Sequence, residues 1–336
     1  MFLSVVIACY NVEKTVKRTL DSIVNQDDLD LEVIAVDDGS IDNTLNILNE
    51  YACKYQFIKI ISQDNRGVCQ ALSNGITKCS GKYIYCLDAD DKITKNFVSY
   101  LKKYNGGFDI IEFSFNVVDE NGKLLNVVKN RKFEFSNKNE VNKFLNVLYL
   151  DHNCFDSFRY ISIYKWSKII KSEIVKEIVS NYKKLNFKLY EDLVYVMLAA
   201  SKSKKIKSVD FVGIYYYQIP NSHSRKNMDL NYNDLLELRN KLRLFLNEYA
   251  KTNNLDKNSF KTMDFNVSKF YFTRLIKKYH IKVLKKFFDK MKKDKVYQDE
   301  KKYVSLDGVS FKRKVYFYLM KYDMFYLIYF CFKYLM

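Results

Sequence analysis

Four short apolar runs open the chain, Leu3 to Ala8, Leu31 to Val36, Phe57 to Ile61 and Tyr83 to Leu87. Between them apolar side chains recur at helical spacing: Val12, Val16, Leu20 and Ile23, then Leu45, Leu48 and Tyr51, then Val68, Leu72 and Ile76. The runs read as buried strands and the stretches between them as amphipathic helices. A chain that alternates strand and helix in this way folds as an α/β domain. Parallel neighbours need a helix-length crossover, and each helix must bury its apolar stripe on the sheet. The expectation is a mostly parallel central sheet with helices on both faces, and in such sheets ligands bind at the carboxyl ends of the strands.

Those ends are polar. The first strand finishes at Ala8-Cys9-Tyr10-Asn11, the second at Asp37-Asp38-Gly39-Ser40, the third near Gln63-Asp64-Asn65-Arg66-Gly67 and the fourth at Asp88-Ala89-Asp90-Asp91. Alternation along a strand points Asp88 and Asp90 to one side. Two hard oxygen donors there suit Mg²⁺ or Mn²⁺, which bind through one or two carboxylates plus substrate phosphates. Taken alone, the acidic segment has a second, less favoured reading as a polar loop after a strand. No GxGxxG follows the first strand, so a dinucleotide site is not expected.

Further along, Asp109 to Phe115 reads as a strand, Val117 to Phe135 as hairpin-like structure, Asn139 to Leu150 as a helix, and Tyr160 to Val179 as a strand and helix. Glu191-Asp192 opens a helix with Leu193, Val196, Met197 and Ala200 on one face, and Phe211 to Ile219 is an aromatic strand. After Pro220-Asn221-Ser222-His223 the chain turns to Lys- and Leu-rich helical stretches, which puts a boundary between domains 1–225 and 226–336. The 336 residues are 48% apolar, ample for a core. Seven cysteines without a CxxC pair read as buried thiols in a reducing compartment. The first strand begins at once, with no basic region or cleavage pattern before it, so no secretory signal is expected. A net charge of +17 implies polyanionic partners such as nucleic acid, anionic lipid or phosphorylated substrates. Phe311-Lys312-Arg313-Lys314 and the aromatic run to Met336 are interrupted by Lys321, Asp323 and Lys333, a pattern suited to lying in a membrane interface rather than spanning a bilayer.

Ser4 to Asn11, Val36-Asp37-Asp38-Gly39-Ser40-Ile41-Asp42-Asn43-Thr44, Asn65-Arg66-Gly67 and Leu87-Asp88-Ala89-Asp90-Asp91 resemble, in order and spacing, the family 2 glycosyltransferases of the Rossmann-like GT-A fold. Lys165-Trp166-Ser167-Lys168-Ile169-Ile170, Tyr190-Glu191-Asp192, Tyr215-Tyr216-Tyr217-Gln218 and Ser222-His223-Ser224 resemble later motifs of bacterial members that build surface polysaccharides. The resemblance implies that Ala8, Tyr10 and Asn11 line a nucleotide pocket. It implies that Asp38 hydrogen-bonds a uracil base, that Arg66 lies near base or phosphates, and that Asp88 meets the ribose. Asp90 and Asp91 would hold Mn²⁺ or Mg²⁺ on the diphosphate, and Asp192 of the Glu191-Asp192 pair would be the general base. His223 stands where some GT-A enzymes supply a third metal ligand; the same residue also fits a solvent-exposed loop. Ala8 replaces the proline or threonine of many relatives, and Asn65-Arg66-Gly67 replaces a more usual Asn-Gly-Gly. No Gln-x-x-Arg-Trp signature of processive synthases is present, so single addition is implied.

The implied reaction is inverting transfer from a nucleotide sugar, UDP-linked, to a hydroxyl of a glycan or lipid-linked glycan. It would take place at the inner face of the cell membrane, with the cytoplasmic protein held peripherally on anionic lipid by its tail. Without the family motifs, Glu191-Asp192 is ordinary acid placement in a first helical turn, where the helix dipole lowers the pKa that a general base needs raised. Asp37 either orients Asp38 or touches ligand; Trp166 reads as packing, and His152 and His280 as structural. Three readings compete: an inactive membrane-docked protein of this fold, a sugar nucleotidyltransferase, and a nucleic-acid binder. The second lacks a glycine-rich basic loop at Cys9 to Lys14, and the third lacks a basic, aromatic-interleaved stripe in the first part of the chain, so no nucleic-acid partner is expected.

Overall fold

The computed structural model describes residues 1–130, 132–148, 162–187, 190–219, 232–255, 280–293, 298, 315 and 318–331. The opening pattern folds as read: β1 (Leu3–Cys9), α1 (Val16–Val24), β2 (Leu31–Asp37), α2 (Thr44–Lys54), β3 (Ile58–Ser62), α3 (Val68–Ile76) and β4 (Tyr83–Asp88). β1 pairs in parallel with β2 and β4, and β2 with β3. Val12 shares the apolar period of α1 but stays outside the helix, where its carbonyl accepts the N–H groups of Thr15 and Val16.

Beyond β4 come β5 (Lys92–Ile93), α4 (Phe97–Lys102), β6 (Ile110–Asp119), β7 (Leu124–Val128), β8 (Glu134–Phe135) and α5 (Lys138–Leu148). A 3₁₀ turn (Lys165–Ser167) then leads into β9 (Lys168–Lys171), α6 (Ser172–Leu185), α7 (Glu191–Lys202) and β10 (Ile206–Gln218). Among the described residues they form a ten-stranded sheet in the order β3-β2-β1-β4-β9-β6-β10-β5, with β7 on β6 and β8 on β10. The sheet is parallel through its first four strands and mixed afterwards. β10 runs parallel to β6, whereas β9 is antiparallel to both its neighbours, β4 and β6. This reversal matters for function, because it brings the start of β9 to the edge where β1 to β4 end.

Alternation on the buried strands sorts side chains to two faces. Leu3, Val5 and Ile7 of β1 and Tyr83, Tyr85 and Leu87 of β4 share one core with Val16, Leu20 and Ile23 of α1 and Phe97, Val98 and Leu101 of α4. Burying each such side chain contributes about 1.5–3 kcal/mol. On the opposite face α3 lies so close to the sheet that a Cβ on Gly75 would sit 2.6 Å from Val6 Cγ1 and 3.0 Å from Val36 Cγ2. At the amino end of the sheet, buried Glu32 accepts hydrogen bonds from Ser4 Oγ (2.8 Å), Ser80 N–H (2.6 Å), Ser80 Oγ (2.8 Å) and Lys59 Nζ (3.0 Å). One carboxylate thus ties β1, β2, β3 and the entry to β4.

By compactness the chain divides into Met1–Asn142 with Phe158–Lys226, and Lys143–Ser157 with Asn227–Met336. In the second unit lie α8 (Tyr232–Thr252), α9 (Ile281–Lys293) and α10 (Phe325–Phe330). α8 buries Leu242, Phe245, Leu246 and Tyr249 at helical spacing. α9 and α10 meet through Phe288 and Phe325, with ring centroids 5.4 Å apart. Among the described residues no helix is long and apolar enough to cross a membrane.

Candidate active site at the carboxyl edge

The loops that leave β1 and β2 brace each other. Asn11, in a left-handed conformation (φ 52°), donates its N–H to Ser40 Oγ (3.0 Å), and its Oδ1 accepts the N–H of Ile41 (2.9 Å). Val12 N–H donates to Thr44 Oγ1 (2.8 Å), and Asn43 N–H donates to Glu13 Oε2 (3.0 Å). Ala8 and Tyr10 stand half-buried beside this brace. Gly39 (φ 74°) allows the next loop to approach, since a Cβ there would lie 2.8 Å from the backbone nitrogen of Asn65. Buried Asp38 accepts from Gln63 Nε2 (2.7 Å), Arg66 N–H (2.9 Å) and Gly67 N–H (2.8 Å). It therefore shapes the 63–67 loop, leaving the Arg66 side chain exposed. Asp37 is buried, and its Oδ1 has no hydrogen-bond partner. Burial, with the Asp37 charge beside it, pushes the Cys9 thiol far up.

The acidic segment departs from simple alternation because β4 ends at Asp88 and residues 89–90 form a turn. Asp88 and Asp90 are half-buried, while Asp91 is buried completely. Asp91 Oδ1 accepts the N–H of Tyr217 at 2.9 Å, and its Oδ2 is buried with no partner. The Thr19 hydroxyl is shared between the carbonyls of Ala89 (2.9 Å) and Asp91 (2.8 Å). Arg18 donates to the Asp90 carbonyl (2.6 Å), and its guanidinium carbon lies 3.6 Å from the centroid of the Tyr217 ring. Burial and the neighbouring Asp88 raise Asp90 to about 6, and burial with Asp90 and Asp88 raises Asp91 well above the carboxylate range.

Sequence reasoning gave no role to the cation at the centre of the site. Lys165 is 3% exposed, and its Nζ lies 2.7 Å from Asp192 Oδ1 and 3.1 Å from Asp88 Oδ1. The reversed β9 explains how it gets there, since the turn before that strand falls beside the end of β4; Tyr85 Oη donates to the Trp166 carbonyl at 2.9 Å. Beneath it, fully buried Lys168 reaches Glu112 (3.6 Å) and donates to the Ser162 carbonyl (3.0 Å) and to the Tyr164 carbonyl, while Ser162 N–H donates to Glu112 (2.7 Å). This buried pair holds the 162–167 turn that carries Lys165. Burial pulls Lys168 down to about 8. Trp166 packs as read, between Tyr164 (4.7 Å) and Tyr216 (5.1 Å). The available signal was two lysines set inside an apolar, aromatic run.

Asp192 and Glu191 occupy the first turn of α7, entered through Tyr190 in the left-handed region (φ 64°). Burial raises both carboxyls: Glu191 reaches about 7, helped by the Asp192 charge, and Asp192 rises despite the opposing ammonium of Lys165. The helix-dipole expectation of a depressed acid is thus outweighed by desolvation. His223 and His152 lie outside the described residues. His280, exposed at the start of α9, accepts the N–H of Lys282 (3.4 Å).

Among the described residues no group of three or more His, Cys, Asp or Glu side chains forms a metal-binding cluster. A divalent ion held by one or two carboxylates and a diphosphate needs no such cluster. The donor set fits that mode: three crowded carboxylates, two with raised pKa values, and the orphaned Asp91 Oδ2.

Sheet order, helices on both faces and an acid-lined carboxyl edge define a GT-A domain. The fold aligns with the crystal structure of S. aureus TarS 1–349 in complex with UDP-GlcNAc at TM-score 0.64 and 17% identity, over 99% of this chain and 91% of that one. Residues 4–169 match the family profile Glycosyl transferase family 2. The chain is 31% identical over 219 residues to the cholesterol galactosyltransferase of Borreliella burgdorferi, covering 64% of this chain and 59% of the relative. It is 33% identical over 224 residues to the poly(ribitol-phosphate) beta-glucosyltransferase of Bacillus spizizenii, covering 65% of this chain and 32% of the relative. Against a poly-beta-1,6-N-acetyl-D-glucosamine synthase of Staphylococcus epidermidis the identity is 37% over 99 residues, covering 30% of this chain and 24% of that protein.

Proposed function

We propose that the chain is an inverting, metal-dependent glycosyltransferase that moves a sugar from a UDP-sugar to a hydroxyl of a glycan acceptor, lipid-linked, in surface polysaccharide synthesis. The observation that carries this is the Asp88–Lys165–Asp192 bridge, which joins an acid at the end of β4 to an acid at the start of α7. Donor and acceptor groups then meet over one edge. The relatives named above, by their names, transfer galactose, transfer glucose and polymerise N-acetylglucosamine, and the TarS structure carries UDP-GlcNAc; these support a nucleotide-sugar donor.

In this account the braced loops at Ala8, Tyr10 and Asn11, with the 63–67 loop shaped by Asp38, hold the nucleoside, and Asp88 takes the ribose. Asp90, with Asp91 behind it, would hold Mg²⁺ or Mn²⁺, which when bound offsets charge developing on the diphosphate leaving group. Lys165 fixes Asp192 through Oδ1, leaving Oδ2 to accept the acceptor's hydroxyl proton as its oxygen attacks the anomeric carbon. Desolvation of Asp192 suits this role, because a base in a dry site retains proton affinity.

Thermal unfolding against a panel of nucleotide sugars checks the donor class. Stabilisation by one or more UDP-sugars that grows with added Mn²⁺ is the expected outcome, since a ligand bound only by the native state raises apparent stability. Equal stabilisation by all nucleotides, or none by any, would count against it.

A further inference from the structure

Charge is divided unevenly along the chain. Residues 227–336 hold 24 Lys and Arg against 12 Asp and Glu, so most of the +17 falls in this last third. There α9 buries Leu284 and Phe288 and exposes Lys282, Lys286, Lys290 and Lys293. The segment ending in α10, anchored by buried Met320, Phe325 and Ile328, turns the opposite chemistry outward. Tyr318 is 50% exposed, Tyr322 and Tyr326 66%, Phe330 53% and Leu327 47%, with Lys321 exposed among them. Four of these rings recur every fourth residue. Such a concentration of exposed rings and apolar side chains marks an interaction site.

We propose that the second unit docks the protein on an anionic lipid surface through Tyr318, Tyr322, Tyr326 and Phe330 at headgroup level, with the exposed α9 lysines adding long-range attraction to lipid phosphates. Amphipathic rings and Lys side chains are what a bilayer interface accommodates: rings bridge acyl and headgroup regions, and ammonium groups gain from the negative surface potential. A second copy of the chain fits less well, because two such units bring like charges together. A nucleic acid would cover the lysines but leave Leu327 and Met324 without apolar contact. The surface deepens the proposed function, resting on that reading only where the acceptor is lipid-linked.

The test is co-sedimentation of the full chain with vesicles of phosphatidylcholine alone, or with about a third of the lipid replaced by phosphatidylglycerol. Binding to the anionic vesicles at least about tenfold tighter than to the neutral ones, and weakened by salt, is expected. The paired substitutions Tyr322→Ser and Tyr326→Ser, at well-exposed positions, lower that binding about tenfold with an unchanged circular dichroism spectrum. Lys282→Glu with Lys286→Glu lowers it too and flattens its salt dependence. No sedimentation with anionic vesicles, or binding indifferent to both variants, overturns the proposal. So does a concentration-dependent dimer abolished by the tyrosine changes, or tighter binding to single-stranded RNA than to vesicles. Turnover of a UDP-sugar in solution is read separately and survives the tyrosine changes, so a failure of docking and a failure of the transferase reading are distinguishable.

Discussion

Lys165 touches Asp88 and Asp192 at once, and a single substitution there disturbs both ends of the site. Lys165→Met leaves two half-buried carboxylates without their shared cation. Stability should fall by about 1–3 kcal/mol, at the modest end because Asp88 is 35% exposed and water screens it. Transfer should fall about a hundredfold, as expected when a general base loses its orienting partner. Lys165→Arg keeps the charge, but its planar fork does not match two carboxylates placed around one ammonium, so it restores only part of either loss. Denaturant unfolding and steady-state kinetics read the two effects, and a methionine variant equal to wild type in both would remove Lys165 from the account. Of the acids around it, Asp88 was legible in sequence because it closes a strand-like run, and Asp192 through the resemblance carried by Tyr190-Glu191-Asp192. Lys165 was not, since its place depends on β9 running backwards, which nothing in four short residues announces. Asp38 shows the same limit: its type and position were visible, but its three bonds to Gln63, Arg66 and Gly67 depend on tertiary approach of two loops.

At the scale of elements, the first four strands were recoverable from apolar runs alone, because buried parallel strands carry little polar interruption. The mixed half was harder: β9 is four residues long, and β10 begins at Ile206, before the aromatic run that marked it. The parallel half has its own clasp in Glu32. Burial opposes its charge, but hydrogen bonds from Ser80, Ser4 and Lys59 outweigh that and lower its pKa from 4.5 to about 2. A depressed carboxylate pKa contributes stability that is present above the unfolded value and is lost as pH falls through the folded one. The Glu32 contribution should therefore be whole above pH 4.5 and drain away towards about 2. Glu32→Gln should cost about 1–3 kcal/mol at neutral pH, and the gap to wild type should close through that acid window. A gap independent of pH would show that the charge of Glu32 is not what ties these strands.

For the whole molecule, charge and chemistry separate along the chain: carboxylates gather at the edge of the sheet, while the cationic excess lies after residue 227. The edge was foreseeable from strand ends, whereas exposure of the late tyrosines required the fold, because sequence gives their spacing and not the side they face. The central claim is that Asp192 takes a proton from an acceptor while the acids of β4 hold the donor. It is tested most directly by comparing UDP release from a stabilising UDP-sugar, with acceptor and Mn²⁺ present, for wild type and Asp192→Asn. Wild type should turn over and the variant should be slower by about two to four powers of ten while binding UDP as well as wild type. Equal rates in the two proteins, or no release by wild type from any UDP-sugar that binds, would contradict it.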